Sequence, residues 1–345
     1  MKLSDFDFDL PASAIAQHPA RPRDAARMLV VGETLADSTV RELPELLSPG
    51  DLLVCNDTKV IPARLLGRRG NVAVEATLLA DLGEGRWRTM AKPGRRLRPG
   101  QRIAFADGLA AEVVAKEEDG SLVLAFDRTG AALMATLEAH GRMPLPPYIK
   151  RPRGGEARDR NDYQTVFATR PGAIAAPTAG LHFTPALLAA LDARGIERTM
   201  VTLDVGAGTF LPVKTESIAD HVMHAEHGEI TEAAASAVYA ARSTGRRVIC
   251  VGTTSLRVLE AAADESGRLA PFAGAVDLFI TPGYRWRMAD FLLTNFHLPR
   301  STLFMLVSAF AGTGRMKAAY AHALAEGYRF YSYGDCCLLH REKAA

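Results

Sequence analysis

Proton transfer near neutral pH calls for histidine or for a carboxylate of shifted acidity, and this chain gathers both in a few polar segments. His182 stands two residues before Thr184-Pro185, His297 follows Asn295 by two, and the stretch 221–229 holds His221, His224, His227, Glu226 and Glu229. In an extended segment His224 and Glu226 point to one face, because side chains alternate. The carboxylate would then orient the ring and raise its pKa. His182 lies just before a helix start, where backbone amides favour a neutral imidazole and hence a free base. The expected base is therefore His182, with His224 and Glu226 as a second acid–base pair. His297 is the third candidate, although a place before Leu298-Pro299 also suits a residue that shapes a turn.

Other chemistries are less well served. Histidines three residues apart can ligate zinc from one face of a helix, but Gly228 and the strand-like 229–231 argue against a helix through the cluster. No metal site is expected. Gly206-Ala207-Gly208 lacks the third glycine of a dinucleotide loop, and 312–317 lacks the phosphate-loop spacing. Neither supports nicotinamide or ATP chemistry.

These residues need elements to hold them. Thr184-Pro185 reads as a helix start, threonine capping free amides and proline suiting the first helical position, with the helix running to Arg194 and stopping at Gly195. Strands are expected at 51–62, breaking into a polar turn, and at 199–205, 247–251, 291–294 and 328–333, with a helix starting near Ser255. Alternating strands and helices imply a three-layer α/β domain. Ligands of such sheets bind beyond the carboxyl ends of the strands, which singles out the junctions 175–184, 204–210, 252–257 and 294–302. Thr253, Thr254 and Ser255 could receive a carboxylate at the start of their helix or simply cap it. Between 62 and 130 the pattern differs. Short apolar runs at 72–79, 87–91, 102–105, 111–116 and 122–126 alternate with turns such as Gly83-Glu84-Gly85, Pro99-Gly100 and Asp119-Gly120. This predicts a small all-β barrel inserted at 62–130 into a domain made of 1–61 and 131–345.

Composition sets outer limits. With 345 residues, 48% hydrophobic and 23% charged, the chain is an ordinary globular protein of roughly two domains. A net charge of +2 (41 basic, 39 acidic) does not by itself imply a nucleic acid. Local clusters matter more, each fitting either a phosphate-binding face or a solvated surface: Lys92, Arg95, Arg96, Arg98 and Arg102 on turns of the barrel, Lys150, Arg151, Arg153, Arg158 and Arg160 in a Pro/Gly-rich stretch, and Arg285-Trp286-Arg287. Such groups suit phosphate contacts and base stacking. Cys55, Cys250, Cys336 and Cys337 show no paired spacing and are expected to be reduced thiols. The acidic opening does not read as a signal peptide, and the apolar run near 302–311 is far short of the ~20 residues that span a bilayer. A cytoplasmic protein with no membrane contact is expected.

Long strings along the chain resemble the S-adenosylmethionine:tRNA ribosyltransferase-isomerase family of queuosine biosynthesis. They are Phe6-Asp7-Phe8-Asp9-Leu10-Pro11, Asn56-Asp57-Thr58-Lys59-Val60-Ile61-Pro62-Ala63-Arg64, Gly141-Arg142-Met143-Pro144-Leu145-Pro146-Pro147-Tyr148-Ile149, the segments 177–184, 221–226, 252–257 and 294–302, and Tyr333-Gly334-Asp335. Two positions depart from the family pattern: Asp204 stands where a histidine is expected, and Cys55 where an aromatic or aliphatic residue is. The resemblance implies a substrate tRNA with a GUN-type anticodon carrying 7-aminomethyl-7-deazaguanine at the wobble position. It implies S-adenosylmethionine as co-substrate, no prosthetic group and a monomer. The sulfonium acidifies the neighbouring ribose protons, a base makes a carbon nucleophile there, adenine and methionine leave, and the ribose becomes an epoxycyclopentane. His224 with Glu226 would then protonate departing adenine or hold the ribose. Thr178, Thr253, Thr254, Ser255, Arg257, Asn295, Asp57 and Lys59 are the expected substrate-binding residues, with aromatic faces against the sulfonium. Lys92, Arg95, Arg96, Arg98, Lys150 and Arg151 are the expected RNA-binding residues.

Two competing readings make different demands. A non-catalytic RNA-binding protein would explain the basic clusters and leave the histidine-rich junctions idle. A zinc-dependent hydrolase would do the reverse, and metal content separates it.

Overall fold

The computed structural model describes residues 1–152, 155–206, 216–221 and 223–342. From the amino end, β1 (Arg27–Val31) and β2 (Leu35–Thr39) lead through α1 (Leu43–Leu46) into β3 (Leu52–Asn56) and β4 (Thr58–Val60). There follow β5 (Arg64–Arg69), β6 (Val72–Asp81), β7 (Arg86–Lys92), β8 (Arg102–Ala104), β9 (Ala110–Lys116) and β10 (Leu122–Phe126). Next come α2 (Gly130–His140), α3 (Asp159–Asp162), β11 (Arg170–Ala173), α4 (Pro185–Ala193), β12 (Glu197–Leu203), β13 (Glu226–Ile230) and α5 (Glu232–Ser243). The chain ends with β14 (Val248–Val251), α6 (Gly252–Ala262), β15 (Phe272–Val276), β16 (Phe291–Asn295), α7 (Thr302–Ala311), α8 (Thr313–Ala325) and β17 (Cys336–His340).

Among the described residues one sheet has nine strands in the order β15-β13-β12-β3-β14-β16-β17-β1-β2. Its centre, β12, β3, β14 and β16, is parallel. Both faces of that centre are covered, so β3 and β14 are buried throughout, and their apolar residues alternate between two cores. Leu52, Val54, Val248 and Cys250 join the core under α5, α6, α7 and α8. Leu53, Cys55, Ile249 and Val251 join the core under α1 and α4. This is the expected three-layer α/β architecture. Cys55 is wholly buried, and burial pushes its thiol up to about 12, which makes it core packing. All four cysteines are free and buried. No helix among the described residues is long and apolar enough to cross a membrane.

Local chemistry fixes the ends of α4. Thr184 Oγ1 accepts the Leu187 N–H at 3.1 Å, Pro185 opens the helix, and Gly195 follows it at φ +75. Elsewhere the structure corrects the expectation. Residues 328–333 are not a strand: Tyr331 has φ +71, a left-handed backbone that a strand does not hold, and the Gly334 N–H turns back to its carbonyl at 2.9 Å. The rings that suggested a strand pack together, Phe330 on Phe296 at 4.9 Å, and the strand forms afterwards as β17. Helix α6 starts at Gly252, not near Ser255, because Gly252 at φ +92 turns β14 straight into it.

The six strands β5 to β10 close into a barrel in the order β10-β7-β6-β5-β8-β9, and none of them pairs with the nine-stranded sheet. Its turns use Gly83, Gly85, Gly100 and Gly120 at positive φ, as glycine-rich turns should. The apolar cluster filling it also takes Ile61 before it, and Leu133 and Leu137 of α2 after it. The chain enters and leaves at one neck, where Arg64 N–H donates to Arg142 O at 3.0 Å and Arg142 N–H donates to Arg64 O at 2.8 Å. A Cβ on Gly141 would lie 2.0 Å from the Pro62 carbonyl oxygen, so this approach requires glycine.

Glu260, fully buried on α6, ties that helix to the chain entering β16. Its carboxylate accepts the N–H groups of Met288 at 2.9 Å and Arg287 at 3.0 Å and the Tyr284 hydroxyl at 3.3 Å. Glu260→Ala leaves these donors unpaired in the core and should cost about 3 kcal/mol. Urea unfolding measures this, and a loss below about 1 kcal/mol would show that other groups satisfy the donors.

Candidate active site

The polar groups converge at the carboxyl edge of the sheet. Residues 178–182 form a 3-10 turn, and it lies close to the start of α6: a Cβ on Gly252 would sit 3.5 Å from that of Ala179. His182, at the end of the turn, is buried with Nε2 3.2 Å from Asn295 Nδ2 at the end of β16. Asn295 Nδ2 also donates to the Tyr331 carbonyl at 3.1 Å. Two buried acceptors in this region, Asn295 Oδ1 and Thr254 Oγ1, have no partner among the described residues. Helix α6 has no side-chain cap, since Ser255 Oγ turns back to the Val251 carbonyl at 3.0 Å. Capping is therefore not what Thr253, Thr254 and Ser255 do. The first-turn amides of α6 are left without a side-chain cap beside the buried Thr254 hydroxyl, an arrangement suited to an anionic group. Thr253 is buried, and Thr178 is half-buried at the start of the 3-10 turn.

The two buried histidines are held neutral. Burial takes His182 down to about 4, opposed by Asp335 and aided by Arg329 and Arg23. Burial alone takes His297 down to about 3. The expected cause at His182, the amides of α4, is not the operative one, because Thr184 already caps that helix and itself donates to Asp24 at 2.7 Å. The ring of His297 bonds Thr294 Oγ1 at 3.0 Å, and its backbone N–H donates to the Tyr320 hydroxyl at 2.9 Å. Both contacts fix the loop after β16.

Other expected site residues lie elsewhere. Glu226 does not pair with His224. Its Oε2 takes Arg257 at 2.5 Å and its Oε1 takes the Gly206 N–H at 3.0 Å, while His224 is exposed on the segment before β13. β13 begins at Glu226, so His224 and His227 do not share a helical face. Among the described residues no three His, Cys, Asp or Glu side chains are grouped to hold a metal. Arg257 is buried and also donates to the carbonyls of Leu278 and Val276, contacts that anchor α6. Asp57 is buried, accepting Thr202 Oγ1 at 2.7 Å, with Arg170 at 3.6 Å. Asp204 accepts Thr58 Oγ1 at 2.8 Å. Residues 207–210 of the glycine turn lie outside the described residues.

The basic clusters separate into two kinds. Lys92, Arg95, Arg96 and Arg98 are exposed around the turn Gly94–Arg96, and among the described residues none of them is in an ion pair. Lys150 is exposed as well. Arg151 is not: its side chain is 3% exposed, bonded to Asp159 at 2.9 Å and to the carbonyls of Lys150 and Gln17. Buried Asp159 needs that charge, which removes Arg151 from any phosphate. Arg102, Arg158 and Arg160 pair with Asp127, Glu156 and Glu138. Trp286 donates to the Ala309 carbonyl at 3.0 Å and packs edge-on to Phe310, so it is no stacking platform. Arg153 lies outside the described residues.

Sequence reasoning missed a cleft of about 520 Å³ lined by Lys59, Met143, Arg160, Thr165, Val166 and Phe183 among others. Thr165 Oγ1 there is buried without a partner among the described residues. The cleft adjoins the segment that carries His182. It joins residues more than 100 positions apart, so nothing local signals it. Tyr148 and Tyr331, stacked at 4.3 Å and 17°, were also missed; the conspicuous family string ending at 149 was the one available signal.

A polar cluster at the carboxyl edge of a three-layer sheet, joined to a closed barrel with an unpaired basic end, defines a two-part α/β enzyme. The chain belongs to the family described as queuosine biosynthesis protein, whose model matches residues 3–339. It is 61% identical over 340 residues to the S-adenosylmethionine:tRNA ribosyltransferase-isomerase of Rhodospirillum rubrum, covering 98% of each chain. It is 58% identical over 362 residues to the protein of that name from a Caulobacter species, covering 99% of this chain and 97% of that one. The crystal structure of S-adenosylmethionine tRNA ribosyltransferase from Thermotoga maritima is similar with a TM-score of 0.55 and 34% identity, covering 97% of this chain and 99% of that one.

The histidines predict an acid response. Below the ordinary value of 6.5 the unfolded chain takes up protons that folded His182 and His297 refuse until about 4 and 3. Their stabilisation is complete above about pH 6.5 and is lost progressively as pH falls toward those values, on the order of 3 kcal/mol for His182 and 5 kcal/mol for His297. Urea midpoints at pH 7, 5.5 and 4.5 should fall in step, and His297→Gln should make the fall shallower. A midpoint independent of pH over this range would show that neither ring is protected.

Proposed function

We propose that this enzyme transfers and isomerises the ribosyl group of S-adenosylmethionine onto 7-aminomethyl-7-deazaguanine at the wobble position of a tRNA with a GUN-type anticodon, releasing adenine and methionine. The observation that carries the reading is the match to relatives of that name along 98% of both chains. The sulfonium supplies the chemical drive: it acidifies a ribose proton, and methionine departs as a neutral thioether. The reaction asks for no metal, redox or prosthetic group. It asks for positioned donors and acceptors and a site closed to water.

The geometry supports an assignment of parts. The open amides of α6 with Thr253 and Thr254 receive the amino-acid carboxylate of S-adenosylmethionine. His182 and Asn295 lie where the ribose and adenine react. The adjoining cleft, with Lys59 and Thr165, takes the modified nucleotide. The barrel, taken as a unit of residues 62–130 inserted between 1–61 and 131–345, carries the RNA-facing residues Lys92, Arg95, Arg96 and Arg98, joined by Lys150. The protein acts as a monomer in the cytoplasm.

The test is adenine release. Purified protein with S-adenosylmethionine should release adenine with tRNA bearing the aminomethyl deazaguanine and not with unmodified tRNA; release from neither would overturn the reading. Reversing Arg95, Arg96 and Arg98 to glutamate should weaken tRNA binding at least about tenfold and flatten its salt dependence. Calorimetry should show S-adenosylmethionine binding unaltered in the same variant. Equal tRNA affinity at two salt concentrations would make this turn ordinary surface.

A further inference from the structure

Asn295 sits between two buried acceptors, and that fixes more than its own place. Its Nδ2 lies 3.1 Å from the Tyr331 carbonyl oxygen and 3.2 Å from His182 Nε2. A carbonyl oxygen only accepts, so the amide must present its NH2 on this side, one N–H to each neighbour. His182 Nε2 must then offer a lone pair, and in a neutral imidazole the ring proton sits on Nδ1. Inverting the amide would set Oδ1 against the Tyr331 carbonyl, two acceptors facing each other in a buried site. That carbonyl is itself held. Tyr331 has φ +71, its N–H donates to Phe296 O at 3.1 Å, and its ring stacks on Tyr148, whose hydroxyl bonds Ser332 Oγ at 2.6 Å. A non-glycine residue in this backbone region persists only where its surroundings impose it.

We infer that Asn295 is a positioning residue that fixes His182 as the Nδ1–H tautomer, so that His182 serves the reaction as a hydrogen-bond donor and not as its base. The role rests on the ribosyl-transfer reading above. The lone pair that a base would use is given to Asn295, and burial keeps the ring neutral at working pH with Asp335, Arg329 and Arg23 as the charges around it. A neutral ring with a fixed N–H stabilises negative charge without giving up its proton. Such charge gathers on adenine as its bond to the ribose breaks and the electron pair moves to the base. Asn295 Oδ1, buried and without a partner among the described residues, is left to accept from a donor on the bound ligand, such as an exocyclic amine.

Nuclear magnetic resonance of the full chain labelled with 15N-histidine reads the tautomer without substrate. His182, assigned by the signal lost in His182→Gln, should show Nδ1 protonated and Nε2 bare at pH 7. Asn295→Asp offers an acceptor in place of the N–H, so the proton should move to Nε2. Single-turnover adenine release with modified tRNA should then fall about a hundredfold, while S-adenosylmethionine affinity changes only a fewfold. A wild-type ring protonated on Nε2 overturns the inference whether or not any variant folds. So does a folded Asn295→Asp protein with the proton on Nε2 and undiminished adenine release. Wild-type protein that releases no adenine would defeat the ribosyl-transfer reading and with it the donor role, separately from the tautomer.

Discussion

Arg257 and Glu226 are buried together, at 5% and 7% side-chain exposure, and neither charge could stay there alone. Removing one partner of such a pair typically costs 3–5 kcal/mol, roughly, because the other is left uncompensated in a dry interior. Here the pair is also tied to the backbone. The guanidinium serves the carbonyls of Val276 and Leu278, and the carboxylate takes the Gly206 amide. One interaction thus binds α6, β13, the end of β15 and the turn after β12. The first turn of α6, with Thr253 and Thr254, is set against the sheet by this buried pair.

Where strands stop, backbone groups lose their partners, and side-chain amides replace them. Asn56 completes the ladder against Leu203, donating to its carbonyl at 3.0 Å and accepting its N–H at 3.2 Å. Gln164 does the same for Val60, at 3.2 and 3.1 Å. Asn295 satisfies Tyr331 and His182 in the same manner but keeps one buried oxygen unspent. The site is built from the fold's own means of ending strands, with one valence left over.

The layers, the barrel and the limits of α4 were legible in the sequence, because period-2 burial, glycine turns and a threonine–proline start are local signals. Residues 328–333 misled because aromatic richness suits a strand, whereas the left-handed backbone of Tyr331 is imposed by distant contacts. Partners were illegible for the same reason. Nothing near Glu226 says that its counter-charge is 31 residues away at Arg257, not beside it at His224. Arg151 reads as one basic residue among five until buried Asp159 claims it. The histidines of the polar junctions were found by type, but which ring nitrogen carries the proton follows from three segments meeting at Asn295.

The neck of the barrel bears on how the chain tolerates changes of length. The strand that leaves at Arg64 and the chain that returns at Arg142 are joined by a reciprocal pair of hydrogen bonds, and Gly141 permits the approach. With the two ends already side by side, the segment between them can lengthen or shorten at little cost in closure entropy and without shifting the register of the nine-stranded sheet. Changes in the turns of the barrel therefore stay local to it, because the neck holds both chain ends in place.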